Sequence, residues 1–259
     1  MAQPNYPLAL GQVMQIAART RLQELEGQLA NAFNWIVQTG PFAGMSLPQE
    51  GSWGDLAPKL LGCYESELHP AVERAIARGP DLVVNVGCAE GYYAVGLARR
   101  LPGAKVYAFD IDPKAQAVCA QAAQQNGVGD RVVVGGRCDA EQLAELAAGG
   151  RKVLVVMDCE GGELGLLSDT VVDALSGADI LVECHDFVDR TLTQTLAPRL
   201  QRRHRVERLR EGARDPAGYP VLQSVGSFDR WLLVCEFRPE VMSWLACWSS
   251  DADRGSSAA

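Results

Sequence analysis

Short runs of β-branched and other apolar residues alternate with helical patterns through the middle of this chain of 259 residues. Alternation of this kind is typical of βαβ units, in which helices cross over between neighbouring parallel strands. The sequence therefore predicts an α/β fold built on a mostly parallel sheet. The predicted strands cover residues 82–86, 105–109, 131–135, 153–157 and 180–182, and helical patterns such as 92–100 and 113–125 separate them.

The C-terminal part of the chain breaks this alternation. Residues 206–209 and 231–235 predict two further strands, and the stretch between them is too short to hold a crossover helix. These two strands are therefore predicted to pair in the antiparallel sense. Residues 241–248 carry apolar side chains at spacings of three and four, which predicts one face of a short helix. We expect a seven-stranded sheet with an antiparallel last strand.

Ahead of the sheet, residues 8–38 carry apolar side chains at mostly three- and four-residue spacings, which predicts an amphipathic helix or a pair of helices. Its apolar face could pack on its own domain, form the seam of a homodimer or close over an active site. Residues 65–78 predict a second helix. We divide the chain into an N-terminal helical extension over 1–79, a sheet domain over 80–248 and a tail over 249–259 that is expected to be disordered.

Charge and cysteine usage narrow the set of partners. The net charge is −8, and nucleic-acid binding needs a basic face, so a small-molecule partner is expected instead. The eight cysteines are scattered without a C-x-x-C pair, which fits neither a zinc site nor a disulfide framework. The sequence lacks a signal-peptide pattern and an apolar run of membrane-spanning length. We expect a cytoplasmic protein that neither binds nor crosses a membrane.

A glycine-containing turn follows the first predicted strand. Residues 86–91 have the sequence VGCAEG, and such a turn lets the backbone approach a ligand while the next helix offers free N–H groups. Its G-x-x-x-G spacing differs from the G-x-G-x-x-G of dinucleotide sites, because Ala89 stands in place of the middle glycine. The second strand ends in Asp110, about 20 residues past the turn, where ribose hydroxyls are bound in such folds.

The acids near this turn have a second interpretation. Asp110 and Asp112 could cap the helix that begins at Pro113, and the two roles can coexist, with Asp112 as the cap and Asp110 as the ligand. Asp139 and Ala140 follow the third strand, where an adenine amino group is often bound in this architecture. Asp139 could equally be a helix N-cap. The turn alone does not separate a methyl donor from a dinucleotide.

Three segments of the chain resemble those of the FkbM-type methyltransferases. VGCAEGYY at residues 86–93, AFDIDP at 108–113 and VMDCEGGE at 156–163 are similar to the family segments D-V-G-A-N-x-G-Y-Y, F-E-P-D-P and I-D-V-E-G-A-E. The resemblance spans residues 81–187, and the third segment is its most specific part. It covers neither the N-terminal extension nor any segment that would identify the acceptor.

The resemblance implies a Rossmann-like class I methyltransferase fold that uses S-adenosylmethionine and releases S-adenosylhomocysteine. It also implies O-methylation of a hydroxyl on a small molecule, such as a sugar or a natural-product intermediate. The chain departs from the family at Asn85, where the family has an acid, at Cys88 and Ala89, which replace Ala-Asn, and at Asp110, which replaces glutamate. The predicted donor-binding residues are Asn85, Gly87, Ala89, Gly91, Tyr92, Asp110, Ile111, Asp139, Ala140 and Asp158.

Acidic residues and one histidine follow the fourth and fifth predicted strands. Ligands in open α/β sheets bind beyond the carboxyl ends of the strands, so these side chains are expected to meet at the acceptor side. An alcohol acceptor needs a base, and His185 could take its proton near neutral pH, with Asp186 or Glu183 fixing its tautomer. The predicted catalytic residues are His185, Asp158 and Glu183, and the neighbouring acids are Glu160, Glu163 and Asp186.

These strand-end residues have other interpretations. His185 could be a surface histidine beside a helix-capping Asp186, and Glu160 and Glu163 could be first-turn acids of the helix that follows. Asp158, Glu183 and Asp186 could instead hold Mg²⁺, which prefers oxygen ligands and would acidify a hydroxyl.

Other functions stay open at this stage. An enzyme of the same fold could cleave or cyclise the amino-acid arm of the donor and release methylthioadenosine, and a non-catalytic module could merely hold the donor. An NAD-dependent oxidoreductase is disfavoured by Ala89 in the turn. Lys59, Tyr64 and Glu65 could close over the donor, which is a hypothesis from position alone. The arginines of residues 199–210 could meet a phosphate-bearing acceptor or form a solvated face.

Overall fold

A seven-stranded sheet forms the centre of the molecule, and four of its strands are buried along their whole length. The structure is a computed structural model, and it describes residues 6–50 and 55–250. Predictions on the first five residues, on residues 51–54 and on residues 251–259 of the predicted tail lie outside the described residues. The tail predicted as disordered over 249–259 begins too early, because Ser249 is buried at the end of the last strand. The strands are β1 (Leu82–Val86), β2 (Lys105–Phe109), β3 (Val132–Gly135), β4 (Val153–Met157), β5 (Asp179–Cys184), β6 (His204–Arg210) and β7 (Ser243–Ser249).

Helices cover both faces of this sheet. Three precede β1, and most of the others lie on the crossovers between strands, as the alternating sequence pattern predicts. The helices are α1 (Tyr6–Ala32), α2 (Leu56–Leu61), α3 (His69–Ala77), α4 (Tyr92–Arg100), α5 (Pro113–Gln125), α6 (Ala140–Ala147), α7 (Glu163–Leu166), α8 (Asp169–Ala174), α9 (Leu192–Gln201) and α10 (Ser227–Leu232).

The seven strands lie in the order β3-β2-β1-β4-β5-β7-β6. Strands β1 to β5 pair in parallel, whereas β7 pairs antiparallel with both β5 and β6. This confirms the prediction of a seven-stranded, mostly parallel, Rossmann-like sheet. The direction of winding reverses between β1 and β4, and a crevice for ligands forms at such a switch point, beyond the carboxyl ends of the strands.

Two predictions in the C-terminal part were wrong. Residues 231–235, predicted as a strand, belong to the end of α10 and the turn after it, whereas residues 241–248, predicted as a helix, supply most of β7. Strand β7 lies between two other strands, and both of its faces are buried. Trp244 packs into the hydrophobic cluster on one face and Leu245 into the cluster on the other. A continuous apolar run of this kind fits a helix and a buried strand equally well.

The N-terminal helices share the hydrophobic core of the sheet. Leu25 and Leu29 of α1 belong to the same buried cluster as Val83 of β1 and Trp244 of β7. A helix is confirmed over the predicted residues 8–38 as far as Ala32, where α1 ends, but only its C-terminal part packs an apolar face. The predicted division of the chain into three parts stays a prediction.

The part of α1 over residues 9–17 has no such packing. Its apolar residues Leu10, Val13, Met14 and Ile16 are between 61% and 66% exposed, which leaves this face in contact with solvent. Among the described residues, no helix is both long enough and apolar enough to cross a membrane. The eight cysteines carry free thiols.

The arginine-rich stretch of α9 and β6 forms ion pairs with neighbouring acids. Arg202 and Arg203 both contact Asp173 of α8, and Arg205 contacts Glu207 on its own strand. These side chains are between 39% and 62% exposed, so the pairs are solvent-screened. The arrangement fits the solvated face that the sequence left open.

Candidate functional site

A cavity of about 730 Å³ lies beyond the carboxyl ends of β1, β2 and β4, at the switch point of the sheet. We call it the turn cavity, because the glycine turn after β1 forms part of its wall. Many of its lining residues are small, so backbone atoms make up much of its surface. The lining residues are Val86, Gly87, Phe109, Asp110, Ile111, Gly136, Arg137, Cys138, Asp139, Ala140, Asp158, Cys159, Glu160, Gly161, Gly162, Gly165 and Leu166.

The glycine turn is held close to both neighbouring strands. The amides of Gly87 and Cys88 donate to the carbonyl of Phe109 at 2.8 and 3.0 Å. Gly87 has a φ of 78°, and a Cβ at this position would lie 1.5 Å from the carbonyl oxygen of Asp158. Only glycine fits between the two strand ends, because any side chain would collide with the backbone of β4.

Asp110 connects the turn to the end of β2. Its Oδ2 accepts a hydrogen bond from the amide of Ala89 at 2.9 Å, and its Oδ1 accepts one from the amide of Asp112 at 2.9 Å. An ionised carboxylate has about four acceptor positions, so the lone pairs left on Asp110 remain for ligand hydroxyls. Ile111 lies beside it, and 80% of its surface is exposed. This apolar side chain is available to pack against an aromatic ring of a ligand.

The caps that the sequence left open are present. Asp112 accepts from the amide of Lys114 at the start of α5, and Asp139 accepts from the amide of Gln142 at the start of α6. Asp139 and Ala140 nevertheless line the turn cavity, so capping and ligand contact coexist at this helix start.

Four predicted donor residues do not line the turn cavity. Ala89 and Gly91 belong to the turn but do not reach the cavity, and their positive φ values of 45° and 94° determine the course of its backbone. Tyr92 is buried and meets the rings of Phe42 and Tyr64 edge to face.

Asn85, the fourth, lies inside β1. It is 1% exposed, and its Nδ2 donates to the carbonyl of Val156 at 3.3 Å, while its Oδ1 has no hydrogen-bond partner. A buried orphan oxygen of this kind is costly, and a ligand or a solvent molecule normally satisfies it.

A carboxylate and imidazole cluster lies at one side of the cavity. Nε2 of His185 is 3.4 Å from Asp158 Oδ1 and 3.4 Å from Glu183 Oε2, and Nδ1 is 2.7 Å from Glu163 Oε1. Asp158, at the end of β4, is the member that lines the cavity, and its side chain is 26% exposed. The structure thus brings the three predicted catalytic residues together.

The partner that orients His185 differs from the prediction. The sequence pointed to Asp186 or Glu183, but the fully buried Glu163 of α7 holds Nδ1. Asp186 instead accepts from the amide and the hydroxyl of Thr193 at 2.9 and 2.7 Å, near the start of α9. It is therefore not part of the group whose atoms could bind one metal ion.

The carboxylates determine the charge of the imidazole. Burial alone would lower the pKa of His185, but contacts with Asp158 and Glu163 and the charge of Glu183 raise it to about 11. The imidazole is therefore protonated at neutral pH in this arrangement. Burial opposes ionisation of Glu163, but the hydrogen bond from His185, the charge of His185 and backbone hydrogen bonds together lower the pKa of this carboxyl.

Beyond Glu183, a set of buried charges fills the adjoining space. Arg238 donates to Glu183, to Glu65 Oε1 at 2.9 Å and to Glu236 Oε2 at 3.0 Å. Their side chains are at most 11% exposed. We call these four residues the Arg238 network. Burial and the charge of Asp158 raise the pKa of Glu65 to about 7, although Arg238 opposes this rise.

A second buried ion pair lies behind the glycine turn. Nζ of Lys59, on α2, contacts Oε1 of Glu90, the turn residue between Ala89 and Gly91. The side chains are 4% and 3% exposed. Sequence position alone had suggested that Lys59, Tyr64 and Glu65 lie near the donor, but nothing in the sequence pointed to Glu90 or Arg238 as their partners.

A metal ion could use the same cluster. Asp158, Glu183 and His185 each offer an atom, and these atoms lie within 4.8 Å of one another. Oδ1 of Asp158 is buried without a hydrogen-bond partner, as a vacant ligand atom would be. Two carboxylates and an imidazole suit a transition metal better than Mg²⁺, which prefers oxygen.

Residues 84–159 match the profile of a family described as a methyltransferase domain. They run from within β1 to the residue after Asp158 and so contain most of the turn cavity. The chain contains a methyltransferase domain. The sheet order and the position of the cavity agree with this match.

Solved structures give weaker likenesses. The O-methyltransferase TomG of Streptomyces achromogenes, involved in tomaymycin synthesis, is 16% identical, with 74% of this chain and 83% of TomG covered and a TM-score of 0.49. An O-methyltransferase of Bacillus cereus is 12% identical, with 88% and 90% covered and a TM-score of 0.43. A precorrin-6y C5,15-methyltransferase of Geobacter metallireducens is 12% identical, with 70% and 89% covered and a TM-score of 0.47.

Identities this low do not assign a substrate to the methyltransferase domain. No curated protein sequence matches the chain.

Proposed function

We propose that this chain is an S-adenosylmethionine-dependent O-methyltransferase that acts on a hydroxyl of a small molecule, such as a sugar or a natural-product intermediate. The observation that carries the proposal is the turn cavity, which lies within a methyltransferase domain and ends at Asp158, beside His185. The FkbM-like resemblance supports the same reaction.

The methyl donor is S-adenosylmethionine, and the cavity has a place for each part of it. The free acceptor positions of Asp110 would hold the ribose hydroxyls, and Ile111, Asp139 and Ala140 would hold the adenine. Gly87 would leave room for the methionine arm, because a side chain is absent there. Asp158 would then lie on the side of the sulfonium.

Methyl transfer is an in-line displacement. A bond forms between the acceptor oxygen and the methyl carbon while the carbon–sulfur bond breaks, and the hydroxyl proton must leave. Asp158 takes this proton, because it is the predicted catalytic carboxylate that lines the cavity and its side chain is 26% exposed. His185 is already protonated at neutral pH, so its role is to hold Asp158 in place, with Glu183 on its other side.

A metal-assisted version of this reaction rests on the spacing of Asp158, Glu183 and His185. A divalent cation there would hold the acceptor oxygen and lower the pKa of its hydroxyl. Dialysis against a chelator separates the two versions. Retained turnover favours Asp158 as the base, and loss that a divalent cation restores favours the metal. No observation favours cleavage of the donor arm or a non-catalytic role.

Calorimetric titration tests the proposal. The intact protein should bind S-adenosylmethionine and S-adenosylhomocysteine but not NAD, and Asp110→Ala should weaken both adenosyl compounds at least about tenfold, since it removes a charged hydrogen-bond acceptor. Asp112→Ala is the matched control, because Asp112 caps α5 without lining the cavity.

Failure of the intact protein to bind either adenosyl compound would refute the proposal. Equal binding by Asp110→Ala would refute only the role of Asp110. Product analysis over a panel of hydroxyl-bearing acceptors completes the test, because methyl transfer leaves S-adenosylhomocysteine whereas cleavage of the donor arm leaves methylthioadenosine.

A further inference from the structure

The turn that forms the cavity wall is anchored from two directions. On the side of the sheet, Gly87 and Cys88 donate to the carbonyl of Phe109, and Ala89 donates to Asp110. On the opposite side, the side chain of Glu90 reaches Lys59 of α2. The first set of contacts comes from the neighbouring end of β2. The second contact comes from α2, which belongs to the N-terminal extension.

Glu90 lies at the most constrained point of the turn. Ala89 before it and Gly91 after it both have positive φ, at 45° and 94°. A positive φ in a non-glycine residue such as Ala89 costs roughly 1 kcal/mol or more of conformational free energy, so the surrounding contacts must stabilise it. Glu90 lies between these two residues of positive φ, and its side chain is held by the ion pair with Lys59.

The position of Lys59 is itself fixed. Its Nζ lies 4.8 Å from the ring centre of Tyr64 and 5.9 Å from that of Tyr92, the first residue of α4. Aromatic faces attract an ammonium group and restrict where it can lie. The pair therefore connects α2, the turn and the start of α4 at one buried point.

Stability is a poor explanation for this pair. Taking two charges out of water often costs as much as their attraction returns, and replacing such a pair with neutral groups of similar shape is often harmless to the fold. Oε2 of Glu90 is also buried without a hydrogen-bond partner, which adds to the cost of keeping a carboxylate there.

We propose that Lys59 and Glu90 are positioning residues for the methyl donor. Through their ion pair, α2 fixes the conformation of the turn, although neither residue lines the turn cavity. The N-terminal extension thereby becomes part of the donor site. This inference rests on the proposed function, since it assumes that the turn binds S-adenosylmethionine.

The test is the double variant Lys59→Met/Glu90→Gln, which removes both charges, keeps similar volumes and leaves the net charge unchanged. Its melting temperature should stay close to that of the intact protein. Its Kd should rise about tenfold for both S-adenosylmethionine and S-adenosylhomocysteine, because the two ligands meet the same turn. At saturating donor, kcat and the KM of the acceptor should not change.

Arg78→Met/Asp179→Asn is the matched control. This pair is also nearly buried, with Nε and Oδ2 2.7 Å apart, but it lies at the start of β5, at the opposite edge of the sheet. Its removal should leave donor binding unchanged.

An unchanged donor Kd in the folded double variant overturns the inference. So does a loss that affects S-adenosylmethionine alone, because that would mean a charge effect on the sulfonium instead of a change in the turn. If the double variant does not fold, Glu90→Gln alone must weaken both ligands by at least about threefold, and no change in it also overturns the inference. If the intact protein binds neither ligand, the proposed function has failed first.

Discussion

The turn cavity and the Arg238 network lie at the same edge of the sheet, but they use it in opposite ways. The cavity is open, and its wall contains five glycines and much exposed backbone. The network is filled by long charged side chains that pair with one another and are at most 11% exposed. One region leaves open space, whereas the other fills the space beside Asp158 with its own charges.

The difference teaches that the regions on the two sides of Asp158 are built by different means. Backbone geometry shapes the proposed donor side, so it depends on a few positions where only glycine fits. Electrostatics shapes the other side, so its state depends on pH and on every charge that enters it. Three experiments test this contrast, and a fourth tests a surface outside both regions.

Gly87→Ala should have the largest effect, because it acts on backbone geometry alone. The new Cβ would lie 1.5 Å from the carbonyl oxygen of Asp158, at a φ of 78°. We expect donor binding to fall below detection in calorimetry and the melting temperature to drop. Gly103→Ala is the control, since a Cβ there would meet no atom within 4 Å. Normal donor binding by Gly87→Ala would contradict the assignment of the cavity.

Asp158→Asn should come next and should separate binding from chemistry. The amide keeps the shape of the carboxylate but cannot take a proton, so kcat should fall about 100-fold or more. Donor affinity in calorimetry should stay close to that of the intact protein. Single-turnover rates with an accepted hydroxyl substrate measure the loss in the rate of methyl transfer. An unchanged rate would remove Asp158 from the mechanism.

Arg238→Met should destabilise the fold in a pH-dependent way. It leaves Glu65, Glu183 and Glu236 buried without their cation, which typically costs about 3–5 kcal/mol. Arg238 favours the ionised form of Glu65, so its contribution through this carboxylate is small below the pKa of about 7 and grows as the pH rises above it. Denaturant unfolding at pH 8 and pH 5.5 should therefore show a larger difference at pH 8.

Arg208→Met is the control for this effect. Arg208 is 44% exposed and lies 3.6 Å from Asp186, so its loss should cost less than about 1 kcal/mol. A deficit for Arg238→Met that is the same at both pH values would show that packing, and not charge, governs the network.

The smallest effect is expected in α1, which lies outside both regions. Its exposed residues Leu10, Val13, Met14 and Ile16 fit the homodimer seam that the sequence left open. If they form one, Val13→Lys should shift sedimentation towards the monomer, whereas Gln12→Lys should shift it less. Donor binding should stay the same in both variants. If the intact protein sediments as a monomer, the prediction of a homodimer seam along α1 is wrong.

Much of the fold could be predicted from local patterns. Strands β1, β2 and β4 have the predicted limits, because each is a short apolar run that ends in a turn. Strand β7 was mistaken for a helix, because it is buried on both faces and its spacing carries no strand signal. Only its neighbours β5 and β6 decide its conformation.

The site divides in the same way. Gly87 and Asp110 lie in segments whose local sequence predicts their position, and both line the cavity. Glu65 and Arg238 are separated by 173 residues, and no local pattern connects them. Glu163 was a candidate acid, but its contact with His185 depends on how α7 packs against the end of β5.

The position of β7 has a consequence for how the chain folds during synthesis. Strand β6 emerges from the ribosome before β7, yet it reaches the sheet only through β7, which separates it from β5. Until β7 is made, β5 has an open edge and β6 has no partner in the sheet. A ribosome that pauses between the two strands would therefore expose both to chaperones or to other nascent chains, which makes this interval the most vulnerable stage of biogenesis.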